Sequence, residues 1–189
     1  QGIGGLMSIT GERDDLPGGG PQKVGVAFSD LMTGLYSTVA IQAALLSREK
    51  TGVGQHIDMA LLDVQVATLC NQSQNYLASG KPPGRYGNAH ANIVPYQVFR
   101  ASDQDFIIAC GNDSQFVALC DAIGLTHLPA DPRFTRNADR VANREAIIEL
   151  LSRHFLEARA QEWIDRVHPR GVPIGAINSI AQALDEPQV

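Results

Sequence analysis

Only three cysteines occur in the 189 residues, Cys70, Cys110 and Cys120, an odd number with no Cys-x-x-Cys pair. That count and spacing argue against a disulfide framework and a zinc knuckle, and for three small buried side chains in a reducing compartment. Basic runs are absent as well. With 15 basic and 20 acidic residues the net charge is −5, which argues against a nucleic-acid surface and an anionic-membrane patch. The longest apolar stretch, Leu31 to Leu46, is interrupted by Thr33, Ser37, Thr38 and Gln42 and is too short to cross a bilayer. Residues 1–20 have neither the basic start nor the apolar centre of a signal peptide, so a cytoplasmic location is expected. The first residue is Gln1, not Met, and the text reads as the middle of a longer protein.

Several catalytic signatures are missing too. His56, His127, His154 and His168 are scattered without ligand spacing and no HExxH pair occurs, so no metal is expected. GxSxG is absent, which removes the usual serine-hydrolase elbow. The glycines Gly18, Gly19 and Gly20 lack the GxxxxGK spacing of a phosphate loop and read as a turn.

What is present is ordinary globular text, 44% hydrophobic and 19% charged, long enough for one large or two small domains. Leu6 to Ile9 reads as a helix end. From Asp30 to Lys50 the period is helical, with Leu31, Leu35, Val39 and Leu46 on one face and Ala40, Ala43 and Ala44 permitting close packing. Thr51-Gly52 is a suitable stop. Alternation predicts a short strand over Gln55–Met59, and a second apolar helix from about Leu61 to Leu77. Residues 79–95, with three prolines and three glycines, form a long loop of the kind that is often functional. "YQVFRASDQDFIIACG" predicts a β-hairpin turning at Ser102-Asp103-Gln104. Helices are expected at Ser114–Ile123, Arg140–Leu156 and Gln161–Val167, then a strand in "GVPIGAI" and a final short helix in "SIAQALDEP". The domain break is placed after residue 78, giving 1–78 and a small α+β domain over 79–189.

Asp30 is the first candidate for chemistry. At the mouth of a helix it serves either as a cap for free backbone amides or as a nucleophilic carboxylate, with Ser29 and Gly34 leaving room for a substrate. Composition leaves both readings open. Asp113, in "CGNDSQF", follows a strand and opens a helix, where binding residues and plain N-caps are both common. His90, with Asn88, lies in the long loop, where it is either structural or a group that titrates near neutrality.

In order along the chain stand "GLMSITG", "GVAFSDLMTGLYSTVAIQAALLSREKTGVGQHIDMALLD", "GNAHANIVPYQVF", "ACGNDSQF", "DPRF", "NR" and "GVPIGAINSIAQALDEPQV". Together they resemble the class III CoA-transferases (the CaiB/BaiF type), a family that includes formyl-CoA transferase, carnitine CoA-transferase and α-methylacyl-CoA racemase. The resemblance covers essentially the whole chain. It implies an α/β fold: the end of a Rossmann-like large domain with its catalytic helix, plus a small α+β domain, in a dimer whose two subunits interlock. It also implies that Asp30 is the nucleophile, forming an aspartyl anhydride and then an aspartyl-CoA thioester. Leu61 lies on the segment that lines the CoA thiol end in relatives. Where formyl-CoA transferase has a glycine-rich lid, this chain has "GRYGNAHAN", leaving Gly87, Asn88 and His90 as acceptor-side contacts. No tightly bound cofactor is implied; a CoA thioester is the substrate.

"GLYSTVAIQAALLSREKTG" and "GNAHANIVPYQVF" look closest to the dicarboxylate-using branch, such as succinate–hydroxymethylglutarate CoA-transferase, with succinyl-CoA as donor. A dicarboxylate needs a cation for its far carboxylate, and Arg85 is the visible candidate. The alternative is a 2-methylacyl-CoA racemase, in which Asp30 works with a histidine from another part of the protein and with the residue at position 113. A third reading is a catalytically incomplete fragment.

Overall fold

The structure is a computed structural model and describes residues 1–189. The chain divides into two compact units, Gln1–Gly87 and Asn88–Val189.

The first unit is helical. A single short turn, α1 (Leu6–Ile9), precedes α2 (Phe28–Thr51), α3 (Leu61–Ala67) and α4 (Cys70–Ser79). The Leu31 amide donates to the Ala27 carbonyl at 3.0 Å, which closes the first turn of α2. Its end is set by Gly52, whose φ of 74° only glycine adopts freely and whose amide donates to the Arg48 carbonyl at 2.7 Å. None of the 24 residues of α2 is buried. The face that the sequence marks as apolar, Leu31, Leu35, Val39 and Leu46, stands exposed. Leu6 and Val64 are the buried apolar residues of this unit. Loop residues are tied back to the start of the unit: the Gly87 amide donates to the Gly11 carbonyl at 3.1 Å, and the Arg85 guanidinium reaches residues 8–14.

Two expectations for this unit are corrected. Residues 53–60 form no strand, since no partner strand pairs with them and an alternating pattern without a neighbour has no ladder to join. The helix expected over Leu61–Leu77 is broken between α3 and α4. There Thr68 turns its hydroxyl onto the Gln65 carbonyl at 2.8 Å, the Leu69 amide tightens onto Val66, and Cys70 takes a positive φ of 48°.

The second unit is α+β. Strand β1 (Tyr96–Arg100) pairs antiparallel with β2 (Asp105–Ala109), Tyr96 opposite Ala109, and β3 (Ile174–Ala176) pairs antiparallel on the other side of β2. The helices are α5 (Asp113–Ala122), α6 (Asn137–Ala142), α7 (Arg144–Phe155), α8 (Ala160–Val167) and α9 (Ile180–Leu184). The continuous helix expected over Arg140–Leu156 is instead α6 and α7, because Asn143 leaves helical geometry and its side chain takes the Asp139 carbonyl at 2.9 Å. Alternation along β2 buries Phe106 and Ile108, while α7 contributes Ile147, Leu151 and Phe155. Phe155 meets Phe99, Phe106 and Trp163 edge-on at 5.0, 5.2 and 5.5 Å between centroids. Asp103, in the hairpin turn, accepts from the Ala160 amide at 2.9 Å and pairs with Arg159. The Ala160 bond holds its carboxyl below the usual range, so the hairpin tip also starts α8.

Candidate active site

Asp30 is the third residue of α2, and the N-cap is Ala27, which offers no side-chain bond. The capping reading of Asp30 is therefore not what the structure contains. Its carboxylate is exposed, and no hydrogen bond or ion pair engages it. What the position does provide is the positive end of a long helix, which favours an anionic side chain.

The carboxylate lies on a cavity of about 510 Å³ within the first unit. That volume is suited to a small ligand. Lys23, Ser29, Asp30, Leu61, Leu62 and Gln65 line it, together with the Gln1–Gly4 segment and Met7. Asp30 and Leu61, singled out separately in the sequence, thus share one cavity. Asp30 and Lys23 are its charged side chains. Lys23, Leu62 and Gln65 had no place in the sequence reading. Gln65 has a signal in retrospect, an amide set between Val64 and Val66.

Arg85 and Gly87 do not line that cavity. The Arg85 guanidinium, 10% exposed, donates to the Glu12 carbonyl at 3.2 Å and the Ser8 carbonyl at 3.3 Å, and pairs with Asp14. Three of its N–H groups are engaged by the chain itself. Gly87 has φ 59°, and a Cβ there would come within 2.7 Å of the Glu12 carboxylate.

Asn88, His90 and Asp113 lie in the second unit. Asn88 is exposed. His90 stacks on Tyr96 at 5.1 Å and its Nδ1 accepts from the Asn92 amide at 3.1 Å, so the neutral ring carries its proton on Nε2. Burial first, and the nearby Arg144 cation second, lower its pKa below the ordinary histidine value. Asp113 is not the N-cap of α5: Asn112 is, accepting from the Gln115 amide at 2.9 Å. The Asp113 carboxylate instead accepts from the Asn137 amide and from Arg140, both at 2.8 Å. Arg140 is fully buried and also donates to the carbonyls of Val94 at 2.7 Å and Phe134 at 2.9 Å, with its guanidinium 4.3 Å from the Phe116 ring centre.

No group of three His, Cys, Asp or Glu side chains could hold a metal ion, and no helix is long and apolar enough to cross a membrane.

The family model for CoA-transferase family III matches residues 1–189. The chain belongs to that family. It is 48% identical over its whole length to the succinate–glutarate CoA-transferase of Agrobacterium fabrum, and 41% identical over 187 residues to the human succinyl-CoA:glutarate CoA-transferase. A crystal structure of a CaiB/BaiF family protein from Brucella suis matches all of this chain with TM-score 0.74 and 51% identity. A structure from Mycobacterium tuberculosis matches 99% of it with TM-score 0.83 at 24% identity, a likeness of fold alone. The mixed α/β fold is that of CaiB/BaiF proteins. The chain spans 46% of the A. fabrum relative, 42% of the human one and 49% of the B. suis chain, about half of each.

Proposed function

We propose that the protein to which this chain belongs transfers CoA from an acyl-CoA, succinyl-CoA in the first instance, to a dicarboxylic acid such as glutarate, with Asp30 as nucleophile. The observation that carries the proposal is the unpartnered Asp30 carboxylate, in the first turn of a 24-residue helix, opening on the cavity that Leu61 also lines. The relatives named for succinyl-CoA and glutarate support the choice of substrates. Asp113 Oδ1 accepts from Arg140 and from the Asn137 amide, which gives that carboxylate a structural task and favours transfer over the α-proton exchange of a racemase.

A carboxylate oxygen of Asp30 attacks the thioester carbon and expels CoA thiolate, giving a mixed anhydride. The thiolate then attacks the aspartyl carbonyl carbon; the donor acid leaves as its carboxylate and CoA stays as a β-aspartyl thioester. An acceptor carboxylate attacks that thioester, thiolate departs again, and its attack on the acceptor carbonyl frees Asp30 and the new acyl-CoA. Each step exchanges one nucleophile for one leaving group and needs no net proton. A carboxylate is a weak nucleophile toward a thioester, so the rate depends on holding Asp30 in line and on backbone amides that stabilise the tetrahedral oxyanions.

In this reading the first unit is the end of a Rossmann-like large domain and the second the small domain. The bare apolar face of α2 is the surface that the remaining chain and an interlocked second subunit cover. Arg85, engaged by Ser8, Glu12 and Asp14, serves to hold the loop. Lys23 is the cation that lines the Asp30 cavity.

The test uses the full-length protein. Incubation with succinyl-CoA is expected to add a CoA-sized mass to the wild type and nothing to Asp30→Asn. An adduct that persists in the variant removes Asp30 as nucleophile. No adduct on either, with loss of α-deuterium from a labelled 2-methylacyl-CoA, moves the protein to the racemase class.

A further inference from the structure

Resting on that reading of Asp30, we infer that Gln65 is a positioning residue that sets the catalytic turn of α2 through Ser29. Gln65 is 2% exposed, and with Arg140 it makes up the buried polar side chains of the chain. A buried amide is costly unless its hydrogen bonds are made, so its partners are informative. Its Oε1 accepts the Ser29 hydroxyl at 2.5 Å. Its Nε2 donates to Thr68 Oγ1 at 3.0 Å, and that hydroxyl in turn donates to the Gln65 carbonyl at 2.8 Å. The relay runs from α3 into α2 and ends one residue before the carboxylate.

Two further facts make this more than packing. Helix α2 buries no side chain of its own, so within this chain the Ser29 bond is the polar tie between its first turn and α3. The stem of Gln65 is also fenced: a Cβ on Gly4 would stand 2.4 Å from its Cγ, so the side chain fills the place that glycine leaves. Gln65 and Asp30 line the same cavity. An apolar residue would fill the site equally well, but it would leave the rotation of the first turn of α2, and with it the direction of the Asp30 carboxylate, to looser contacts.

The experiment measures kcat, KM for succinyl-CoA and melting temperature in the full-length protein for Gln65→Leu, Ser29→Ala, Ser29→Thr and the Gln65→Leu/Ser29→Ala double variant, beside Asp30→Asn. Misdirecting a reacting group by an ångström costs up to about 100-fold, so Gln65→Leu and Ser29→Ala are each expected to lower kcat by about 10- to 100-fold. KM is expected to stay within about twofold, because binding is not what the relay serves. Ser29→Thr keeps the hydroxyl and restores most of kcat. The double variant is no slower than the slower single variant, the signature of groups acting through one bond. Wild-type kcat in either single variant, at whatever melting temperature, overturns the inference, as do losses that multiply in the double. If Gln65→Leu does not fold, the Ser29→Ala and Ser29→Thr pair decides alone. An active Asp30→Asn removes the reading of Asp30 and the role of Gln65 together; an inactive one beside fast Gln65 and Ser29 variants removes only the latter.

Discussion

Replacing Asp113 with Asn separates a structural carboxylate from a chemical one. Arg140 is wholly buried, whereas the Asp113 side chain is 54% exposed, so the pair is neither a surface bridge nor a dry one. Two charge-assisted bonds end on Asp113 Oδ1, each made at 2.8 Å. Asn keeps an oxygen there but removes the charge. Hydrogen bonds to a charged group contribute about 1.5–3 kcal/mol against about 1 for neutral ones, and solvent already screens the outer half of the carboxylate. A loss of about 1.5–2 kcal/mol is therefore expected, and with it a lower unfolding midpoint. Arg140→Met is the harsher control. It strands the buried acceptors of Val94 and Phe134, at about 1–3 kcal/mol each, and gives up the contact with the Phe116 ring. Those losses approach the 5–15 kcal/mol that holds a typical domain together, so poor folding is expected. The assay pairs calorimetry with steady-state kinetics on the full-length protein. The reasoning fails if Asp113→Asn melts like the wild type, or if it loses more than about 100-fold in kcat, the scale of a general acid or base.

Two further outcomes follow from the buried groups. Burial pushes the thiols of Cys110 and Cys120 up to about 12, against the pull of Arg140, while Cys70 is exposed. Brief iodoacetamide treatment at pH 8, where a thiol of that kind is ionised to about one part in 10⁴, should mark Cys70 by peptide mapping and spare the other two until the protein is denatured; labelling of all three at equal rates would refute their burial. His90 gives a pH dependence of known sign. Its folded pKa lies below the unfolded value near 6.5, so the unfolded chain takes up the proton first. Stability is unaffected above that value and is lost as the pH falls from it through the folded pKa. His90→Gln should flatten this acid limb, and an NMR titration that puts the ring midpoint above 6.5 would contradict the burial argument.

Elements were legible where this chain supplies their partners. The hairpin turning at Ser102-Asp103-Gln104 formed as its two apolar runs predict, because Phe106 and Ile108 have the α7 side chains to bury against. Gln55–Met59 alternates just as well, but no neighbouring strand completes it. The breaks at Thr68 and Asn143 come from side chains taking helix carbonyls, a local competition that hydrophobic period does not register. Asp30 stood out by position, though its proposed role came from the family resemblance and its cavity only from the structure. Arg140 was hidden because a polar helix opening reads as surface, and nothing in periodicity announces a buried guanidinium. Gln65 was hidden in another way, as one of several polar letters (Asp63 and Thr68 among them) on a half-apolar helix.

The uneven distribution of burial has a consequence for anyone who wishes to move these pieces between proteins. The second unit carries its own aromatic centre, its own buried cation and the counterion for it, and so has the makings of a portable module. The first unit buries little beyond Leu6, Val64 and Gln65. Grafting the Asp30 helix into another scaffold would transplant a carboxylate without the surroundings that aim it. The smallest transferable piece that would carry the proposed chemistry is therefore not α2 but α2 with α3, Gly4 and whatever covers Leu31, Leu35 and Val39.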